Sequence, residues 1–210
     1  PRLLSHGLNE IYGNYDAFFI DLWGVIHNGV QLIESANDVL DHLKKRKKRF
    51  VLMSNAPRPK NSVAKYLKSL GFKNEYMENV YTSGDAALSA LENNKLGKCF
   101  YHLGPKKDED LFMKFIKFKK KNIRESEFIL CTGLDENNEI DLKYYEKFLK
   151  DHLSKKMLCT NPDLEVYRGS RREYCAGSVA KIFENLGGEV IYFGKPYKDI
   201  YNDCAKENEK

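Results

Sequence analysis

The sequence predicts an α/β protein whose parallel β-sheets are covered by helices on both faces, and two observations carry this prediction. Short apolar runs of strand length alternate with helix-period segments along the whole chain. The runs are solidly apolar, which is typical of strands that are buried on both faces. With 210 residues, 42% of them hydrophobic, the chain is long enough to bury such a core in one or two domains.

The individual elements follow from these runs in order. Apolar stretches predict strands at 17–21 (AFFID), 50–55 (FVLMSN), 79–83 (NVYTS), 98–104 (KCFYHLG), 127–133 (EFILCTG), 156–161 (KMLCTN) and 189–194 (EVIYFG). Apolar residues at helical spacing predict helices at 35–47, 61–70, 84–94, 108–121, 141–154, 177–186 and from 197 onward. A helix after each strand is the crossover that parallel strands require.

Composition excludes several classes of protein. No apolar stretch is long enough to span a membrane. The five cysteines are scattered without a CxxC pair, which argues against a zinc site or a disulfide framework and favours the cytoplasm. The net charge is +5, but the basic runs at 43–50 and 115–124 are interpreted as solvated helix ends, and no nucleic-acid-binding module accompanies them.

Polar residues end three of the predicted strands. The first strand ends in Asp21, the second in Ser54 and Asn55, and the last leads into Lys195. Ligands bind at the carboxyl ends of parallel strands, so these side chains are expected to converge on one site. Taken singly, each residue is also compatible with a cap, a loop or a turn.

These strand ends resemble three motifs of the haloacid dehalogenase-like (HAD) phosphohydrolase superfamily. FFIDLWGVIHNG is similar to its first motif, VLMSNAPRP to its second and YFGKP to its third. The long interval between Ser54 and Lys195 resembles class IIA members, in the branch with an Asp-x-Trp-Gly first motif. The resemblance implies a core formed by 1–95 and 188–210, with an inserted α/β cap domain at 96–187. It also implies that the family's fourth motif, which supplies two metal ligands, lies outside this sequence.

The resemblance implies a mechanism and roles for individual residues. Asp21 would attack the phosphorus of a small phosphomonoester, such as a sugar or nucleotide monophosphate, and Lys195 would assist it. Ser54, Asn55 and Gly24 would bind the phosphate. Mg²⁺ would bind the Asp21 carboxylate and the backbone carbonyl of Trp23. Class IIA relatives often dimerise, so the resemblance is also compatible with a homodimer.

Trp23 departs from the family pattern. Phosphatases of the family usually have an aspartate here that protonates the leaving alcohol, and indole has no acid–base chemistry near neutral pH. Three consequences of this replacement are compatible with the sequence: turnover is slow, only esters with good leaving groups are hydrolysed, or another residue donates the proton. His27 is one candidate proton donor, and the alternative is that His27 has only a structural role in the turn.

A catalytically weakened protein that binds a phosphorylated ligand is the rival hypothesis for the whole chain. A plain nucleotide-binding domain is disfavoured because no GxGxxG or GxxxxGK[ST] loop follows a strand.

The predicted cap carries a candidate specificity segment after Asn161. Asn161 and Asp163 are expected to face the substrate, and Arg168 is the main candidate to bind an anionic group. Arg171 and Arg172 are further candidates for that role. The alternative interpretation of YRGSRR is a polar hairpin tip with its arginines in solvent.

Overall fold

The computed structural model describes residues 7–94 and 96–208, and two parallel sheets within them confirm the α/β prediction. Strands β1 (Ala17–Asp21), β2 (Arg49–Ser54) and β3 (Val80–Thr82) form the first sheet in that order. The second sheet contains β4 (Phe100–Leu103), β5 (Lys119–Lys120), β6 (Phe128–Cys131), β7 (Lys156–Cys159) and β10 (Glu189–Tyr192). Its spatial order is β10-β7-β6-β4-β5. Residues 1–6, 95 and 209–210 of the predicted core lie outside the described residues.

An antiparallel hairpin and a set of helices complete the described part. The hairpin consists of β8 (Glu165–Arg168) and β9 (Arg171–Tyr174). The α-helices are α1 (Ala36–Lys45), α2 (Lys60–Ser69), α3 (Ser83–Glu92), α4 (Leu142–Leu149), α5 (Ala176–Asn185) and α6 (Lys198–Asn208), and 3-10 helices lie between some of these elements. In the described ranges, no helix combines the length and apolar character needed to cross a membrane.

The helix predicted at 108–121 is wrong in type. The segment is a 3-10 helix, Lys106–Phe118, and its backbone breaks at Phe112, where φ is −119°. The Phe112 ring is completely buried and contacts Phe100 and His102, with ring centroids 5.1 and 4.6 Å apart. Burial of this ring therefore overrides the helical spacing of the sequence.

Each sheet is packed on both faces. On the first sheet, one face packs against α1 and α2 through Leu40, Leu52 and Leu67, and the other packs Met53 against Ile200 of α6. The second sheet packs Ile129 against Phe183 on one face and Leu130 against Phe112 on the other. Burial on both faces explains why the strand sequences are apolar throughout.

The last strand differs from the predicted domain division. β10 pairs with β7, placing Val190 beside Met157, so it belongs to the second sheet although 188–210 was predicted to join the first. From that segment, α6 packs on the first sheet. An apolar run indicates a buried strand but does not specify its neighbour. The chain therefore crosses between the two sheets after Tyr192, and Lys195 lies in this crossing.

Candidate active site

The structure brings Asp21 and Lys195 together. Asp21 is the last residue of β1, and the Lys195 Nζ forms an ion pair with its carboxylate. The side chains are 43% and 21% exposed, so a small ligand can reach both. A carboxylate beside a fixed ammonium group can act as a nucleophile toward an anionic group, because the lysine offsets the negative charges that approach each other.

Asn55 holds the backbone of Lys195. Its Oδ1 accepts the Lys195 N–H at 2.7 Å, and its Nδ2 donates to the Lys195 carbonyl at 3.0 Å and to Asp163 Oδ1 at 2.9 Å. Gly194 permits this approach, since a Cβ there would lie 2.6 Å from Asn55 Oδ1. The predicted phosphate-binding amide is instead occupied by protein groups, and its geometry is that of a residue that positions Lys195.

Ser54 and Gly24 differ in what they leave available for a ligand. The buried Ser54 Oγ accepts the Ala56 N–H at 3.1 Å, and among the residues that the structure describes its own hydrogen has no acceptor and can be donated to a ligand. The Gly24 N–H already donates to the His27 carbonyl at 2.7 Å, inside a turn where Gly24 has φ of +82°. The geometry is thus compatible with phosphate binding by the Ser54 hydroxyl and does not favour it for the Gly24 amide.

Asn161 and Asp163, two of the predicted specificity residues, have different roles in the loop after β7. Asn161 is buried, and its Oδ1 accepts the Asp163 N–H at 3.0 Å, which shapes the loop after β7. Asp163 reaches Asn55 from this loop. Burial raises the pKa of Asp163, while the hydrogen bond from Asn55 and the charge of Lys195 oppose the rise. The loop therefore brings an acidic side chain from the second sheet to the Asp21–Lys195 pair.

The turn after β1, which we call the flap (residues 22–32), encloses Trp23. The His27 ring packs edge-on against the indole, with centroids 5.1 Å apart, and its Nδ1 accepts the Gly29 N–H at 3.0 Å. Burial and the charge of Arg168 lower the pKa of His27, against the opposing effect of Asp21. His27 is 3% exposed and shapes the flap, which agrees with its structural interpretation.

The hairpin prediction for YRGSRR agrees with the structure, but Arg168 does not extend into solvent. Its guanidinium lies 4.9 Å from the Trp23 ring centroid and donates to the Gly29 carbonyl at 3.0 Å. Glu173 accepts from its Nε at 3.2 Å. These protein partners occupy the side chain that the sequence predicts to bind an anion. Arg171 and Arg172 pair with Glu139 and Glu165 instead.

Sequence reasoning missed Gly29 of the flap and Tyr66 of α2, which contacts it. The Tyr66 hydroxyl donates to the Gly29 carbonyl at 2.7 Å, and Gly29 has φ of +81°. The Asn-Gly pair at 28–29 is a turn signal. Nothing in the sequence indicated that this turn faces an indole.

Oxygen atoms are the donors available for a metal ion. The Asp21 carboxylate and the Trp23 carbonyl are of the type that Mg²⁺ prefers, and substrate phosphate and water commonly complete such a site. Within 7–94 and 96–208, no group of three or more His, Cys, Asp or Glu residues could hold a metal ion. The oxygen donors present thus fit a Mg²⁺ site in which substrate phosphate and water supply the remaining ligands.

The sequence is similar to known hydrolases over part of its length. The haloacid dehalogenase-like hydrolase family matches residues 18–115. Phosphoglycolate phosphatase 2 of Arabidopsis thaliana is 28% identical over 100 residues, which cover 47% of this chain. The chain spans about a third of that relative, since the match covers 33% of it.

Solved structures extend the similarity to nearly the whole chain. A haloacid dehalogenase-like hydrolase from Brucella suis 1330 has a TM-score of 0.86 and 29% sequence identity. The match covers 95% of this chain and 73% of the Brucella chain. A glycerol phosphate phosphatase from Mycobacterium tuberculosis was solved in complex with calcium and has a TM-score of 0.67 and 20% sequence identity. The match covers 94% of this chain and 58% of the phosphatase chain. Together with the two-sheet fold, these matches show that the chain is similar to the haloacid dehalogenase-like hydrolases.

Proposed function

We propose that this protein is a phosphohydrolase that removes phosphate from a small phosphorylated metabolite through an aspartyl-phosphate at Asp21. The observation that carries the proposal is the ion pair between Asp21 and Lys195 at the carboxyl end of β1. Ser54 ends the neighbouring parallel strand. The Arabidopsis and Mycobacterium relatives are named for phosphoglycolate and glycerol phosphate, which supports a small phosphomonoester as substrate. A sugar or nucleotide monophosphate is the class we propose.

The proposed reaction has two steps. A carboxylate oxygen of Asp21 forms a bond to phosphorus while the bond from phosphorus to the leaving oxygen breaks. Water then attacks phosphorus, releases inorganic phosphate and restores the carboxylate. In both steps Lys195 offsets the charge of the phosphoryl oxygens, and the Ser54 hydroxyl donates a hydrogen bond to one of them.

Mg²⁺ is the proposed cofactor, held by the Asp21 carboxylate and the Trp23 carbonyl. When bound, it would supply positive charge to the phosphoryl oxygens. The substitution of tryptophan for the usual acid leaves this role possible, because only the backbone of residue 23 takes part. We also propose that residues 96–192 form the cap of a class IIA member.

Asp163 is the proton donor that we propose in place of the missing acid. Asn55 holds its carboxyl at 2.9 Å, and burial raises its pKa, which favours the protonated form that a general acid needs. Alkyl phosphates need this proton more than phenyl phosphates, whose leaving groups are better. Asp163→Asn should therefore slow alkyl phosphates by about 10²–10⁴-fold and phenyl phosphates much less. An equal loss for both esters would exclude Asp163 as the donor.

A substrate screen tests the function itself. The full-length protein is assayed with Mg²⁺ against phosphorylated metabolites, beside Asp21→Asn and Lys195→Met. Lys198→Met serves as the matched control, because Lys198 is exposed and lies three residues beyond Lys195. We expect turnover that both site variants lose and the control keeps. Thermal stabilisation by a phosphorylated ligand without turnover would instead support the binding protein. Turnover that survives Asp21→Asn would refute the nucleophile.

A further inference from the structure

The hairpin β8–β9 meets the flap through contacts that centre on Trp23. The indole Nε1–H donates to the Tyr167 carbonyl at 3.0 Å, and the Arg168 guanidinium lies over the ring. Arg168 Nη1 also donates to the Gly29 carbonyl, and the Gly169 N–H donates to the Asn28 carbonyl at 3.0 Å. Three hydrogen bonds and a cation–π contact thus join two segments that are far apart in sequence.

Each side of this contact is held in shape by a neighbouring side chain, Tyr66 of α2 for the flap and Glu173 of β9 for the hairpin. On the flap side, Tyr66 binds the Gly29 carbonyl, and a Cβ on Gly29 would lie 2.5 Å from Trp23 Cζ2, so the ring rests directly on the glycine. On the hairpin side, Glu173 accepts from Arg168 Nε and so fixes the plane of the guanidinium. Two surfaces that are already shaped associate at a smaller loss of conformational entropy.

We propose that Trp23 and Arg168 form a clasp that holds the cap hairpin closed over the flap beside Asp21. Trp23 is then a positioning residue, because its N–H and one face of its ring are occupied by the hairpin. An aspartate at position 23 would offer no ring face to the guanidinium and, when ionised, no hydrogen-bond donor to the Tyr167 carbonyl. The replacement of the usual acid therefore strengthens closure of the cap while it removes a proton donor. The clasp concerns only how the two parts meet, so it stands or fails independently of the proposed phosphatase activity.

The sequence provides its own probe of this clasp. Trp23 is the single tryptophan among 210 residues, so emission excited selectively from tryptophan, and not from the 13 tyrosines, reports on this contact. Arg168→Ala removes the cation–π contact and the hydrogen bond to the Gly29 carbonyl of the flap, and should raise the ratio of open to closed cap by about 5- to 30-fold. Emission should then shift to longer wavelength, and acrylamide should quench it more strongly than in the wild type.

Arg172→Ala is the matched control. Arg172 lies in the same hairpin, pairs with Glu165 and stacks on Tyr174, with its guanidinium 5.5 Å from the ring centroid. Its removal should leave the emission and quenching of Trp23 at wild-type values. Unchanged fluorescence in a folded Arg168→Ala, or an equal change in Arg172→Ala, would overturn the proposal.

Hydrogen exchange tests the clasp in the wild type, without any substitution. The Gly169 amide is bonded to the flap only while the hairpin is docked, since its acceptor is the Asn28 carbonyl. We expect this amide to exchange slowly in the wild type and faster in Arg168→Ala. Exchange of the wild-type amide at the rate of an unstructured peptide would show that the hairpin does not stay on the flap.

Discussion

Asp108 allows a quantitative prediction, because the fold holds this carboxyl out of water. The residue is 3% exposed in the 3-10 segment after β4, and burial raises its pKa to about 6 although Thr132 donates a hydrogen bond to it. Replacement by asparagine keeps the shape of the side chain and removes its charge. We expect Asp108→Asn to be more stable than the wild type at pH 8.

The magnitude follows from the difference between the folded and unfolded pKa values. Between pH 3.8 and about 6 the unfolded chain releases the Asp108 proton before the folded chain does. The wild type therefore loses stability as the pH rises through this window, about 3 kcal/mol in all, and remains less stable above it. The weaker hydrogen bond to an amide offsets about 1 kcal/mol, so the expected net gain at pH 8 is about 2 kcal/mol.

Urea unfolding of both proteins between pH 4 and pH 8 measures this gain. At pH 4 the variant should show no gain, because the wild-type carboxyl is then largely neutral in the folded chain. Asp110→Asn is the control, since Asp110 pairs with Arg58 at 2.7 Å and its loss should lower stability. A variant that gains nothing at pH 8, or gains equally at both pH values, would refute the assignment of a buried charge to Asp108.

Two further substitutions test the flap and the first sheet. Gly29→Ala places a Cβ against Trp23 at a φ of +81°, and should destabilise the protein by at least about 1–2 kcal/mol while it displaces the indole. Urea unfolding and tryptophan emission measure the two effects, and wild-type values of both would contradict the proposed packing. Thr82→Val removes the hydroxyl that accepts the Asp85 N–H and caps α3, and should cost about 1 kcal/mol. An unfolding midpoint equal to that of the wild type would show that the cap contributes nothing.

The positions of Asp21 and Ser54 could be predicted from sequence because they depend on local patterns. Each follows a short apolar run, and parallel strands present their carboxyl ends at the same edge of a sheet. The sheet to which β10 belongs could not be predicted, since its pairing with β7 depends on contacts between distant segments. The helix predicted at 108–121 is a broken 3-10 segment instead, because the burial of Phe112 also depends on contacts between distant segments.

The roles of Asn55 and Arg168 show where residue type alone misleads. Both side chains are suited to anions, and the sequence predicts that they bind substrate. In the structure their polar atoms contact Lys195, Asp163, Glu173 and Gly29. The sequence separates Asn55 from Lys195 by 140 residues and Arg168 from Gly29 by 139, so no local pattern could reveal these contacts.

Trapping the phosphorylated enzyme tests the central claim most directly. Full-length protein that is turning over a phosphomonoester with Mg²⁺ is quenched and treated with borohydride, which reduces an acyl phosphate of aspartate to homoserine. Peptide mass spectrometry then locates the modified residue. We predict homoserine at position 21, and none in a parallel sample without substrate. Release of phosphate with Asp21 unmodified, or modification of another carboxylate, would contradict the assignment of Asp21 as the nucleophile.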